Sequence, residues 1–253
     1  MKKDFDSKEN VENELCRCFQ VKKNIWIDFT LPIFIVISLT VVLSLTNADL
    51  EVEKRFYSPD TGWFLGKNTS WIFLYHFGNI PAFLLSIAGL AVFVLSFISG
   101  KFLSYRKIGL FLVIFIILGP GLLINTVLKD NWGRPRPADI VNFGGGEQFR
   151  HVWEKGRPEQ GKSFPSGHAS VGFFLLAPFF ILRKSSRKWA AFFLSLGIFY
   201  GMLMGFGRMV QGGHFLTDII WAGAFTYLTG MILYYIFRFD RKHFQSSTET
   251  MPS

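Results

Sequence analysis

The sequence predicts an all-α, polytopic membrane protein with six transmembrane helices, the last four forming the catalytic bundle. Half of the 253 residues are hydrophobic, with 30 phenylalanines, and only 18% are charged, below the ~25% usual for soluble domains. The apolar residues are gathered into long blocks rather than spread with amphipathic periodicity. Lysine and arginine collect in the short links between those blocks.

About 20 apolar residues cross a bilayer as a helix, and by that measure six stretches qualify. They are 25–45, 71–98, 108–128, 168–182, 189–206 and 215–237, the fourth short and opening inside a polar cluster. The chain divides into an N-terminal cytoplasmic segment (1–24), a membrane domain (25–237) and a cytoplasmic tail (238–253). The N-terminal segment mixes both charge signs and precedes an apolar stretch too long for a signal-peptide core, so no cleavable signal is expected. Trp63 and Phe64 are expected in an interfacial helix, and Asp28 is expected to reach the cytoplasmic interface.

The formal net charge is +9. Its placement beside apolar blocks is that of membrane flanks, which excludes a nucleic-acid binder. Two cysteines, Cys16 and Cys18, sit in the N-terminal segment and make no disulfide framework. Nothing suggests an obligate protein partner.

Orientation follows from the positive-inside rule. Lys101, Arg106 and Lys107 fall between spans two and three, and Arg183, Lys184, Arg187 and Lys188 between four and five, with no acid in either link. Both termini are therefore expected in the cytoplasm. The 128–166 link faces outward yet is rich in arginine and lysine, and anion binding explains charges that topology did not require.

Three polar clusters fall at the outward ends of the spans. Lys129 to Pro137 follows span three, Phe164-Pro-Ser-Gly-His-Ala-Ser170 opens span four, and Gly207-Arg208 to His214 and Asp218 joins spans five and six. Lys129, Arg136 and Arg208 bring three cations to one interface, where guanidinium forks match phosphate oxygens. One such residue would be read as snorkelling toward headgroups; three beside two histidines form a cradle. Ser166 is placed to cap a helix whose first turn favours an anion, Gly167 leaves room for an oxyanion, and His168 is suited to protonating a leaving alkoxide. His214 and Asp218, spaced i, i+4, share a helical face. Asp218 can accept from one imidazole nitrogen and free the other to attack phosphorus. Metal ligation by His168, His214 and Asp218 is the rival reading, and the surrounding cations oppose it.

The ordered set Lys129-x6-Arg136-Pro137, Pro165-Ser-Gly-His168 and Arg208-x5-His214-x3-Asp218 resembles the type 2 phosphatidic acid phosphatase (PAP2) superfamily, which also includes vanadium haloperoxidases. The resemblance implies a membrane phosphatase domain without metal or other cofactor. His214 would be the nucleophile oriented by Asp218, and His168 the general acid. Lys129, Arg136, Ser166, Gly167 and Arg208 would hold the phosphate. The chain departs from the family at Gly207, where a serine is usual.

Within the superfamily, Gly133-Arg-Pro-Arg-Pro137, Phe143-Gly-Gly-Gly146 and the flanks of the two histidine motifs are similar to bacterial lipid A phosphatases. That likeness implies a 1- or 4′-phosphate of lipid A as substrate and an active site on the periplasmic face of the inner membrane. The alternatives are undecaprenyl pyrophosphate, phosphatidylglycerophosphate, or phosphotransfer to a second lipid. Arg134, Arg150 and Arg157 are expected to contact the lipid headgroup.

Overall fold

The computed structural model describes residues 25–240. The expected N-terminal segment with Cys16 and Cys18, and most of the tail, lie outside the described residues. The fold is mainly helical, and five helical stretches are long and apolar enough to cross a membrane: Ile25–Leu45, Thr69–Ile98, Gly100–Asp139, Arg187–Met209 and Leu216–Ile236. Their outward faces carry Phe34, Leu45, Leu84, Ile87, Phe97, Ile98 and Phe199, all exposed. So large an apolar exterior is stable only against lipid, and the chain is a multi-pass membrane protein.

Helix α1 (Ile25–Leu45) is followed by a short α2 (Ala48–Glu53) and a two-stranded hairpin, β1 (Tyr57–Ser58) with β2 (Gly62–Trp63), antiparallel with Tyr57 opposite Trp63. Trp63 thus lies in a hairpin rather than the expected interfacial helix, and packs on Tyr57 and Phe143. The second span is two helices, α3 (Thr69–Phe77), capped by the Asn68 side chain, and α4 (Ile80–Ile98).

Helix α5 (Arg106–Ile116) continues through a widened, π-helical stretch, Ile117–Leu128, into α6 (Lys129–Trp132). Pro120 inside that stretch has no N–H to donate, which disrupts regular i→i−4 pairing. Within the same stretch the Asn125 side chain donates to the Pro120 carbonyl at 2.7 Å. Gly133, with φ +71°, ends α6 in a left-handed turn that few other residues adopt cheaply.

The link that follows has only short 3₁₀ turns, and its backbone is tied back by Trp132 Nε1 to the Val152 carbonyl at 3.0 Å. The fourth expected span is α7 (Gly167–Phe173) and α8 (Ala177–Leu182), joined by a 3₁₀ turn. At ~1.5 Å per residue it reaches about 24 Å, short of the ~30 Å hydrocarbon core. Its first half is buried in protein, including Ala169, Ser170, Phe173 and Phe174. Helices α9 (Arg187–Met209) and α10 (Leu216–Ile236) complete the chain.

Phe111, Phe115, Phe174 and Phe180, all fully buried, knit α5, α8 and the 3₁₀ turn between α7 and α8, with ring centroids 5.2 Å apart for Phe115 and Phe174 and 5.8 Å for Phe115 and Phe180. Asp28 accepts from Arg183 at 2.8 Å and from the Tyr235 hydroxyl at 2.6 Å, locking α1 to α10.

Candidate active site

The three polar clusters come together at one end of the helices, sewn by backbone hydrogen bonds. Ala138 N–H donates to the Gly212 carbonyl at 3.0 Å, Ser163 N–H to Arg134 at 3.0 Å, and Ser166 N–H to Asp218 at 3.3 Å. Gly212, with φ +66°, packs so closely under the Trp63 ring that a side chain would collide with it. The hairpin therefore clamps the turn that presents His214.

His214 is 2% exposed, and its Nδ1 lies 2.6 Å from the Ser163 carbonyl. A carbonyl accepts only, so Nδ1 carries the proton and Nε2 keeps its lone pair. The nearest Asp218 oxygen is 3.8 Å from Nδ1. The hydrogen bond that fixes the tautomer thus goes to a backbone carbonyl rather than to Asp218 as expected, and the carboxylate acts on the ring by its charge. Burial is the largest influence on the imidazole and lowers it to about 4 against the upward pull of Asp218; Arg208 and Lys129 lower it further.

Asp218 is fully buried and completely engaged. Its oxygens accept from Arg134 Nη1 at 2.5 Å, from the Ser163 hydroxyl at 2.5 Å and from Phe215 N–H at 2.9 Å. Arg134 is the opposite of the expected headgroup contact. It is 0% exposed, its second nitrogen pairs with Asp49 at 2.8 Å, and its Nε donates to the Arg150 carbonyl at 2.9 Å. Burying a guanidinium demands such partners, and at 0% exposure Arg134 is out of reach of a lipid. Arg150 is half-buried and donates to Gln160 at 3.2 Å, whereas Arg157 is exposed on the outer link.

His168, Lys129, Arg208 and His214 bear on one another electrostatically, as do Lys129 and Arg136. The buried Nε groups of Arg136 and Arg208 have no acceptor among the described residues. An unsatisfied buried donor costs ~1–3 kcal/mol, more when charged, so these two guanidiniums are primed for an anion. Arg208 also donates to Gln211, and its Cζ sits 4.7 Å over the Tyr75 ring, which stacks on His168 at 4.7 Å and 22°.

Ser166 is the N-cap of α7, its hydroxyl accepting from Ala169 N–H at 3.4 Å. Gly167 lies so close to Asn125 Oδ1 that a Cβ would collide with it. At Gly207 a Cβ would instead face Leu74 at 3.2 Å and Trp71 at 3.4 Å, on α3. The family serine's place here is thus packed under an aromatic ridge.

Sequence reasoning missed Asp49, Tyr75 and Ser163. Ser163 lies beside a recognised motif, but Asp49 and Tyr75 come from segments with no chemical pattern of their own.

The chain is 32% identical over 191 residues to the lipid A 4′-phosphatase of Francisella tularensis subsp. novicida, covering 74% of this chain and 85% of that protein. It is 34% identical over 106 residues to the lipid A 4′-phosphatase of Rhizobium leguminosarum, covering 42% and 44% of the two chains. Phosphatidylglycerophosphatase B of Bacillus subtilis is 28% identical over 149 residues, covering 54% and 62%. No solved structure gives a significant match. The family model described as the PAP2 superfamily matches residues 108–242, the stretch that holds His168, His214, Arg136, Arg208 and Asp218. With more than half its length inside that match, the chain belongs to the PAP2 superfamily of phosphatases.

Proposed function

We propose that the protein hydrolyses the 4′-phosphate of lipid A at the periplasmic face of a bacterial inner membrane, with both termini in the cytoplasm, through a phosphohistidine on His214. The observation that carries this is a buried histidine, its Nδ1 on the Ser163 carbonyl, beside two guanidiniums whose buried Nε groups lack acceptors among the described residues. Lys129, Arg136 and Arg208 cradle the phosphoryl oxygens, with Ser166 and Gly167 at the mouth of α7. The Nε2 lone pair attacks phosphorus as His168 protonates the departing sugar oxygen. Water, deprotonated by His168, then cleaves the phosphorus–nitrogen bond and frees inorganic phosphate. Transition-state charge is met by preformed cations, which cost no reorganisation during reaction.

The mechanism uses no metal. Both Asp218 oxygens are taken by Arg134, Ser163 and Phe215 N–H, and Lys129, Arg136 and Arg208 would repel a divalent ion at the histidines. In detergent with EDTA, the purified protein is expected to release phosphate from lipid A faster than from phosphatidylglycerophosphate, undecaprenyl pyrophosphate or phosphatidic acid. Faster release from another of these lipids would move the substrate and keep the chemistry. Release only after a divalent metal is added would overturn the mechanism.

Because burial holds His214 at about 4, the nucleophile stays unprotonated well below the ~6.5 of an ordinary histidine. The acidic limb of kcat/KM from His214 is expected near pH 4 to 5. A limb at 6.5 that survives correction for the substrate's own second phosphate ionisation, about 6, would contradict a neutral nucleophile.

A further inference from the structure

The acids in the link between α1 and α3 look like topology charges in the sequence, yet one of them reaches the site. Asp49, on α2, has a side chain only 7% exposed. One oxygen accepts from Arg134 Nη2 at 2.8 Å and from the Thr217 hydroxyl at 2.6 Å; the other accepts from Thr217 N–H at 3.0 Å. Thr217 is the second residue of α10, so a carboxylate brought from 168 residues away caps the helix that starts just after His214. Such a cap satisfies an orphan amide and complements the positive end of the helix dipole. Arg134 closes a ring, donating to Asp49 with one nitrogen and to Asp218 and Thr217 with the other.

We infer that Asp49 is a positioning residue for the phosphoryl-transfer step: it fixes Arg134 and the first turn of α10 as one unit, so that Asp218 and His214 hold their attacking geometry. The inference rests on His214 being the nucleophile. It assigns a part in the reaction to α2, which lies outside the stretch 108–242 shared with the family.

The neighbouring acid has a different place. Glu53, one helical turn on, is fully buried, and neither of its oxygens has a partner among the described residues. Burial first, then Asp49 and Asp218, raise its carboxyl well above the usual range, with Arg134 opposing. Glu53 stands outside the hydrogen-bonded ring, which sets two carboxylates against one guanidinium. That surplus negative charge favours the cationic imidazole that forms as Nε2 takes the phosphoryl group.

The test is steady-state kinetics on lipid A with the purified full-length protein in detergent, with thermal unfolding alongside. Asp49→Asn keeps the shape and one acceptor but removes the charge. It is expected to lower kcat by about 10- to 100-fold, the scale of a reacting group displaced by about an ångström, with KM changed less than about 2-fold. Should Asp49→Asn not fold, Thr217→Val removes the hydroxyl that joins Asp49 to Arg134, and the same kcat-only loss is expected at smaller size. Glu53→Gln, which matches a neutral acid, is expected to leave kcat unchanged. A lowered melting temperature with unchanged kcat in both Asp49→Asn and Thr217→Val would overturn the inference. So would a kcat loss in Glu53→Gln equal to that of Asp49→Asn, because α2 packing and not the carboxylate would then be responsible. His214→Ala separates the two levels: if it stays active, the nucleophile assignment fails. If it is inactive while Asp49→Asn keeps full kcat, only the positioning role fails.

Discussion

Replacing His214 with Ala is expected to lower turnover by on the order of 10⁴- to 10⁶-fold, the loss seen when a covalent nucleophile is removed. Nothing else at the site can substitute. His168 lies in the same cluster, but Tyr75 stacks on its ring, and its proposed work is on the leaving oxygen. The alanine variant also strands the Ser163 carbonyl that now receives Nδ1–H, which costs about 1–3 kcal/mol in a buried site. Asn at 214 offers an amide donor to that carbonyl and is expected to be as inactive as Ala but more stable. Phosphate release from lipid A, with thermal unfolding of each variant, separates the two effects. Activity within about 10-fold of wild type in both variants, far above the loss of a nucleophile, would end the case for His214.

Arg134→Ala is expected to cost about 3–5 kcal/mol of stability, the range for breaking a buried ion pair from one side. Two carboxylates, Asp49 and Asp218, would be left in a protein interior without their counter-ion. Lysine is a poor replacement because an ammonium cannot place separate, directed donors on both acids and on the Arg150 carbonyl. A headgroup contact would behave in the opposite way, raising KM and leaving the melting temperature alone. Thermal unfolding of Arg134→Ala and Arg134→Lys in detergent checks this, and a melting temperature equal to wild type would show that the buried ring contributes nothing.

The contrast between Arg134 and Arg136 marks where sequence reading stopped. The two residues stand one proline apart in the same motif, and composition treats them alike. The left-handed turn at Gly133 redirects the chain, and Arg134 then faces inward to acids 84 and 85 residues away in sequence. Arg136 keeps a buried donor unpaired. Contacts of that range leave no local pattern, and Asp49 was hidden for the same reason. Tyr75 was hidden because an aromatic in an apolar stretch usually faces lipid, and only the packing of α3 on α9 places it against His168.

What was legible had short-range causes. The apolar blocks gave the long helices, and Ser166 capped α7 as its place before Gly-His suggests. The fourth stretch shows the limit of hydropathy, which records that α7 is apolar but not that protein, rather than lipid, covers its first half.

The most direct measurement is a rapid quench of the EDTA-treated enzyme with lipid A labelled in its 4′-phosphate, followed by mapping of the label. A metal-independent phosphohistidine predicts a burst of protein-bound phosphate that survives alkali, is lost in acid, maps to His214 and is absent from His214→Ala. Phosphate release at full rate with no protein-bound label at any quench time, or a label on another residue, would contradict it.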